Sequence, residues 1–180
     1  VEEGLEYGPA KRRAVKQLGL NARAQLPNND QLEDAVREYL DVFCADTQPA
    51  ELAALRELAA VWMARMAAFR PHLGGAVWRG TATGLSDIYL QLFCDDSKSA
   101  EISLIDHNVR YEVSTVQGFQ GEAVDALSIL SSCPGLSQKV LVHLMIYDLD
   151  DLRGALKPDG QGRTYRGDLL ALTRLMKGIA

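Results

Sequence analysis

The sequence predicts an α+β protein: a helical N-terminal part, residues 1–72, sharing one core with a sheet-rich part, residues 73–180, that carries five to six mixed or antiparallel strands. Two observations carry this. Apolar residues recur at three- and four-residue spacing up to Phe69, and beyond Gly74-Gly75 they alternate in short runs separated by turn residues. A content of 47% hydrophobic and 24% charged residues over 180 positions suits an ordinary folded core.

The first helix is expected from Pro9 to Leu18, with Pro9 in its first turn and Gly19 at its stop. Asp30 is positioned as the N-cap of a second, with Glu33 three residues on and a stripe of Leu32, Val36, Leu40 and Phe43. A third runs from about Ala50 to Phe69 and ends at Arg70-Pro71, since a residue before proline leaves the α region. Trp62, Met66 and Phe69 are expected to pack near Leu40 and Phe43. Strands are expected at Ala76–Trp78, Asp87–Cys94, Glu101–Ile105, Val109–Val116 and Val140–Tyr147, while Ala123–Leu130 reads as strand or helix. Asp148 caps a short helix through Leu156, and a last helix spans roughly Asp168 to Lys177.

Charge and composition exclude several classes. A net charge of -5 argues against general nucleic-acid binding. Apolar runs such as Val140–Tyr147 are too short to span a bilayer. Glu2 and Glu3 directly after Val1 leave no visible secretory leader, so a cytoplasmic protein is expected. Cys44, Cys94 and Cys133, like the three histidines, lack metal-ligand spacing and read as isolated side chains.

The stretch from Gly75 to Phe93 holds a Gly80-Thr81 turn, then Ser86-Asp87 opening an apolar strand. It resembles the nucleotidyltransferase fold of the DNA polymerase β superfamily. There a Gly-Ser turn holds the nucleotide triphosphate, and two carboxylates alternating along the next strand bind divalent metal. The resemblance implies that Gly80, Thr81 and Ser86 contact the ligand, that Asp87 binds metal, and that magnesium is the cofactor. The position two beyond Asp87 is Tyr89, a poor ligand for a hard cation. Glu101 and Glu112 are the carboxylates that could complete a catalytic set with Asp87.

A second resemblance runs over almost the whole chain. It rests on Glu3-Gly4, Tyr7, Ala10-Lys11, Leu18-Gly19, Glu33, Val36, Tyr39, Phe69-Arg70-Pro71-His72-Leu73, Gly80-Thr81-Ala82, Ser86-Asp87-Ile88, Asp151-Leu152-Arg153 and Arg166-Gly167. On these the chain resembles a small proteobacterial family whose members are sometimes labelled UDP-N-acetylmuramate–alanine ligases. That label implies a three-domain enzyme far longer than this chain and a Gly-Lys-Ser/Thr phosphate loop, which the sequence lacks.

Arg163 and Arg166 stand in a glycine-rich loop, Asp159 to Gly167, with Arg153 shortly before. Guanidinium forks suit phosphate or carboxylate, so these three form a candidate anion site. Three functions follow: a nucleotidyltransferase-like protein that binds a nucleotide or other anionic ligand without catalysis, a metal-dependent nucleotidyltransferase using Asp87, Glu101 and Glu112, or an interaction module using the helical face.

Overall fold

The computed structural model describes residues 1, 5–21, 25–158 and 162–179. Glu3-Gly4 of the family resemblance and Asp159-Gly160 of the arginine loop lie outside them. In chain order the elements are α1 (Tyr7–Gln17), α2 (Asn29–Phe43), α3 (Gln48–Arg65), β1 (His72–Gly74), α4 (Gly75–Arg79), β2 (Ile88–Cys94), α5 (Ser99–Asp106), β3 (Glu112–Gln117), β4 (Ala123–Ser132), β5 (Lys139–Asp148), α6 (Leu152–Ala155) and α7 (Leu169–Met176). The fold is α+β, with one five-stranded sheet in the order β1-β2-β5-β4-β3. It is mixed: β2 and β5 run parallel and the other neighbours antiparallel.

The core forms where α3 lies on the sheet. Leu55, Leu58, Trp62 and Met63 from α3 join Ile88, Leu90 and Leu92 from β2, and Val142 and Leu144 from β5, in one buried cluster. Residues from both halves of the sequence therefore share this core. Trp62 and Met66 are buried as expected, and Trp62 Nε1 donates to Ser131 Oγ at 3.2 Å. Phe43 departs from expectation: it is 70% exposed, its ring tilted against Tyr39 at the C-terminal end of α2.

Local chemistry explains the other differences. Asn28, not Asp30, caps α2, in a reciprocal box with Gln31. Two expected strands are helices. Gly75, at φ +69, turns the chain out of β1 and into α4, so Ala76–Trp78 is helical. Glu101–Ile105 lies in α5, where Ala100 and Leu104, four apart, face the core and Ile102 and Ile105 face solvent. Alternation over five residues could not separate these two periods. The ambiguous Ala123–Leu130 is a strand. The chain's three cysteines are free thiols. Among the described residues, no helix is long and apolar enough to cross a membrane.

Candidate functional site

Strand alternation gives the sheet two faces. Ile88, Leu90 and Leu92 face the helices, so Tyr89 and Gln91 face the other way. Register carries this across four strand pairs: Gly74, Tyr89, His143, Ser128 and Glu112 form one lateral row on the open face. Above this face lies a cavity of about 670 Å³. Its floor is Tyr89 and Gln91 of β2, His143, Met145 and Tyr147 of β5, and Ala126 of β4. Its walls are the start of α1 with Arg12, the Gly75 turn with Arg79, the Gly118-Phe119 turn, and Tyr165-Arg166.

The Gly75 wall is held from both ends of α4. Arg56 donates to Val77 O and Trp78 O, Arg37 to Arg79 O, and Gln48 to Gly80 O, which places cations at the helix C-terminus. At the other end, Glu6 Oε1 accepts from Ala76 N at 2.7 Å and Glu6 Oε2 pairs with Arg79 at 2.6 Å. Arg79 also lies over the Tyr7 ring. Glycine is required at 75: a Cβ there would stand 2.8 Å from Glu6 Oε1 and 3.3 Å from the Tyr89 ring, and φ is positive.

The floor of the site is aromatic. Burial, then the charges of Asp87 and Glu6, push the Tyr89 hydroxyl up to about 12, so it stays protonated at neutral pH. Burial likewise pushes Tyr147 up to about 12. Burial pulls Arg166 down from its ordinary value, and its guanidinium lies over the Phe119 ring at 4.4 Å. Burial acts the same way on Arg79, but Glu6 and Tyr7 outweigh it and hold Arg79 above its ordinary value.

Four cavity-lining side chains carry polar atoms that are shut off from solvent and lack a hydrogen-bond partner: Arg79 Nε, Gln91 Oε1, Tyr147 Oη and Arg166 Nε. The Phe119 backbone lies near enough to Tyr147 Oη to favour its ionised form, without meeting hydrogen-bond geometry. Each such atom costs about 1–3 kcal/mol when nothing satisfies it.

A polar relay crosses the same face. His143 Nδ1 and Ser128 Oγ are 2.8 Å apart, and His143 Nε2 and Asp87 Oδ2 are 3.3 Å apart. With the proton on Nε2, His143 donates to the carboxylate and accepts from the serine hydroxyl. The Tyr89 ring stacks on the imidazole at 4.9 Å. Ser128 sits mid-strand between β3 and β5, where backbone amides serve the ladder and none is left as an oxyanion donor. The relay thus orients Asp87 and His143 rather than arming a nucleophile.

No protein-family model and no curated protein matches the chain. Two solved structures are similar to it. One is a cytoplasmic RNA terminal U-transferase, at a TM-score of 0.42 and 13% identity, covering 71% of this chain and 40% of that one. The other is Cid1, described by its RNA terminal uridylyl transferase activity, at a TM-score of 0.28 and 15% identity, covering 66% of this chain and 31% of that one. The chain therefore spans less than half the length of either.

The residues singled out from sequence fall in different places. Asp87 and Arg166 reach the open face, Asp87 through His143 and Arg166 in the cavity wall. Gly80, Thr81 and Ser86 do not. Gly80 ends α4 at φ +83 under Arg56 and Gln48, Thr81 is buried, and Ser86 Oγ accepts from Thr83 N within its own turn. Glu101, on α5 after the far end of β2, pairs instead with Lys98 and Tyr111. Glu112 shares the open-face row but stands three strands from β2, roughly 14 Å away. The three carboxylates do not converge.

The arginines separate too. Arg163 pairs with Asp30 at 3.0 Å, Arg166 donates to Ala155 O, and Arg153 is exposed on α6. Sequence reasoning missed Gly75, Gln91, Tyr147 and the His143–Ser128 pair. The Gly74-Gly75 pair was the available signal; the others are ordinary strand residues until register joins them.

The donor set at Asp87 does not fit magnesium. Its neighbours are an imidazole and a tyrosine, where a hard cation needs several charged oxygens. Among the described residues, no group of three His, Cys, Asp or Glu side chains could hold a metal.

Proposed function

We propose that the chain is a nucleotide-binding protein that does not transfer nucleotides, with its site on the open face of the sheet. The observation that carries this is the cavity itself: about 670 Å³, floored by aromatic rings and walled by Arg12, Arg79 and Arg166. That volume lies within the range of small-molecule sites. Flat apolar rings suit a base, and guanidinium groups suit phosphate oxygens. The exposed Arg12 at the mouth meets the anionic part first.

Calorimetric titration with the four ribonucleoside triphosphates tests this reading. Saturable binding is expected, weaker in Arg12→Ala and less salt-dependent there, because one charge contact is lost. Thermal stabilisation by nucleotide should change little on adding magnesium. Absence of saturable binding refutes the reading. A large magnesium-dependent stabilisation that vanishes in Asp87→Asn replaces it with metal-dependent nucleotidyl transfer.

A further inference from the structure

We infer that Glu6 is an internal anion that holds Arg79 in the free protein, and that an anionic group of the ligand displaces it and loosens the start of α1. The inference rests on the nucleotide-binding reading and goes beyond it to how access to the site is controlled. Glu6 immediately precedes α1 and borders the cavity together with Gly8, Pro9 and Arg12. Its carboxylate holds two partners of the kind a phosphate group takes. One is the Arg79 guanidinium at 2.6 Å, the other the Ala76 backbone N–H at 2.7 Å. The Arg79 and Glu6 side chains keep 16% and 23% of their surface open, so a ligand in the cavity can reach the pair.

Three features make this contact exchangeable. No side chain of α1 is fully buried, so little apolar burial holds the helix in place. Glu6 stands at the N-cap of α1, yet its carboxylate makes no hydrogen bond to that helix, whose first turn holds no acidic residue. Once released, it faces the positive end of its own helix, which offsets part of the lost pairing. Arg79 is not left alone either. Glu33 Oε2, on α2, lies 3.7 Å from its Nε and keeps the guanidinium in place while Glu6 exchanges. Competition of this kind lowers apparent affinity in proportion to the fraction of molecules in which Arg79 is free.

The test compares the protein with Glu6→Gln and Asp34→Asn, each titrated with inorganic triphosphate and the four ribonucleoside triphosphates. Asp34 is exposed on α2, so its variant controls for the loss of one negative charge. Glu6→Gln is expected to bind about three- to fivefold tighter, and Asp34→Asn less than about twofold tighter. In the unsubstituted protein, saturating ligand should speed amide hydrogen exchange at residues 10–13, in the first turns of α1. That measurement needs no variant and decides the matter if Glu6→Gln fails to melt cooperatively. Binding seen only in Glu6→Gln supports the inference in its strongest form. Unchanged or weaker binding by Glu6→Gln, a gain that Asp34→Asn matches, or protection of residues 10–13 by ligand overturns it while leaving nucleotide binding in place. If none of these ligands binds any of the three proteins, the nucleotide reading falls with it.

Discussion

The two faces of the sheet are made by the same strands and differ in what lies against them. Along β5, Val142, Leu144 and Ile146 join the apolar cluster beneath the helices, while His143, Met145 and Tyr147 border a cavity with rings and guanidinium groups. One-residue alternation separates the two environments. The helical face supplies most of the burial that offsets chain entropy, while the open face adds a smaller apolar cluster of Phe93, Val124, Tyr147 and Ala155 beside its cavity. Substitutions should therefore divide: on one face they cost stability, on the other they cost binding.

The largest effect is expected on the helical face. Trp62→Ala should destabilise by about 3–5 kcal/mol in denaturant unfolding, with nucleotide affinity of the folded protein unchanged. A loss under about 1 kcal/mol would mean that α3 contributes little to the core. Gly167→Ala comes next. Gly167 closes the edge of β1 by exchanging backbone hydrogen bonds with Leu73, and a Cβ there would overlap the Trp78 indole at 2.2 Å. About 1–3 kcal/mol of overpacking is expected from the same unfolding measurement.

Glu6→Gln sharpens the comparison, since Glu6 belongs to the cavity wall. It should lower stability and, by freeing Arg79, raise nucleotide affinity a few-fold; a drop in affinity would show that Glu6 shapes the site rather than competing for it. The smallest effect concerns pH. Burial lowers His72 below its ordinary 6.5, against a smaller opposing contribution from the hydrogen bond to Arg70 O. The unfolded chain then binds more protons just below pH 6.5, so this contribution to stability is present above that pH and is lost as pH falls toward the folded value. Unfolding at pH 7 and pH 5 should show this loss, and His72→Phe should reduce it.

How much of this was legible in the sequence follows the same division. The helical face was readable because its signal is local: the Trp62 stripe and the β2 and β5 runs stand where expected, whereas α3 ends at Arg65 and a 3-10 turn over Ala67–Phe69 fills the expected last turn before Arg70-Pro71. Short segments failed where two periods fit equally well, at Ala76–Trp78 and Glu101–Ile105. The site was legible only in part. Asp87 and Arg166, singled out from the sequence, lie at the open face, but the glycine turn beside Tyr89 is Gly74-Gly75, six residues before Gly80-Thr81. His143, Ser128 and Tyr147 become neighbours of Asp87 and Gln91 only through pairing of β2, β4 and β5, and no local pattern announces that register.

Adjacent residues on β5 offer the most direct measurement of the central claim, because Met145 lines the cavity and Leu144 lies in the core beneath it. Methyl NMR spectra of the protein labelled at methionine and leucine, recorded through a titration with the tightest-binding ribonucleoside triphosphate, report on both faces at once. The expected result is a saturable shift of the Met145 methyl resonance while Leu144 and Leu90 stay in place. Shifts concentrated at Leu58 and Met63 under the helices, or none at Met145 under saturating nucleotide, would contradict placement of the site on the open face.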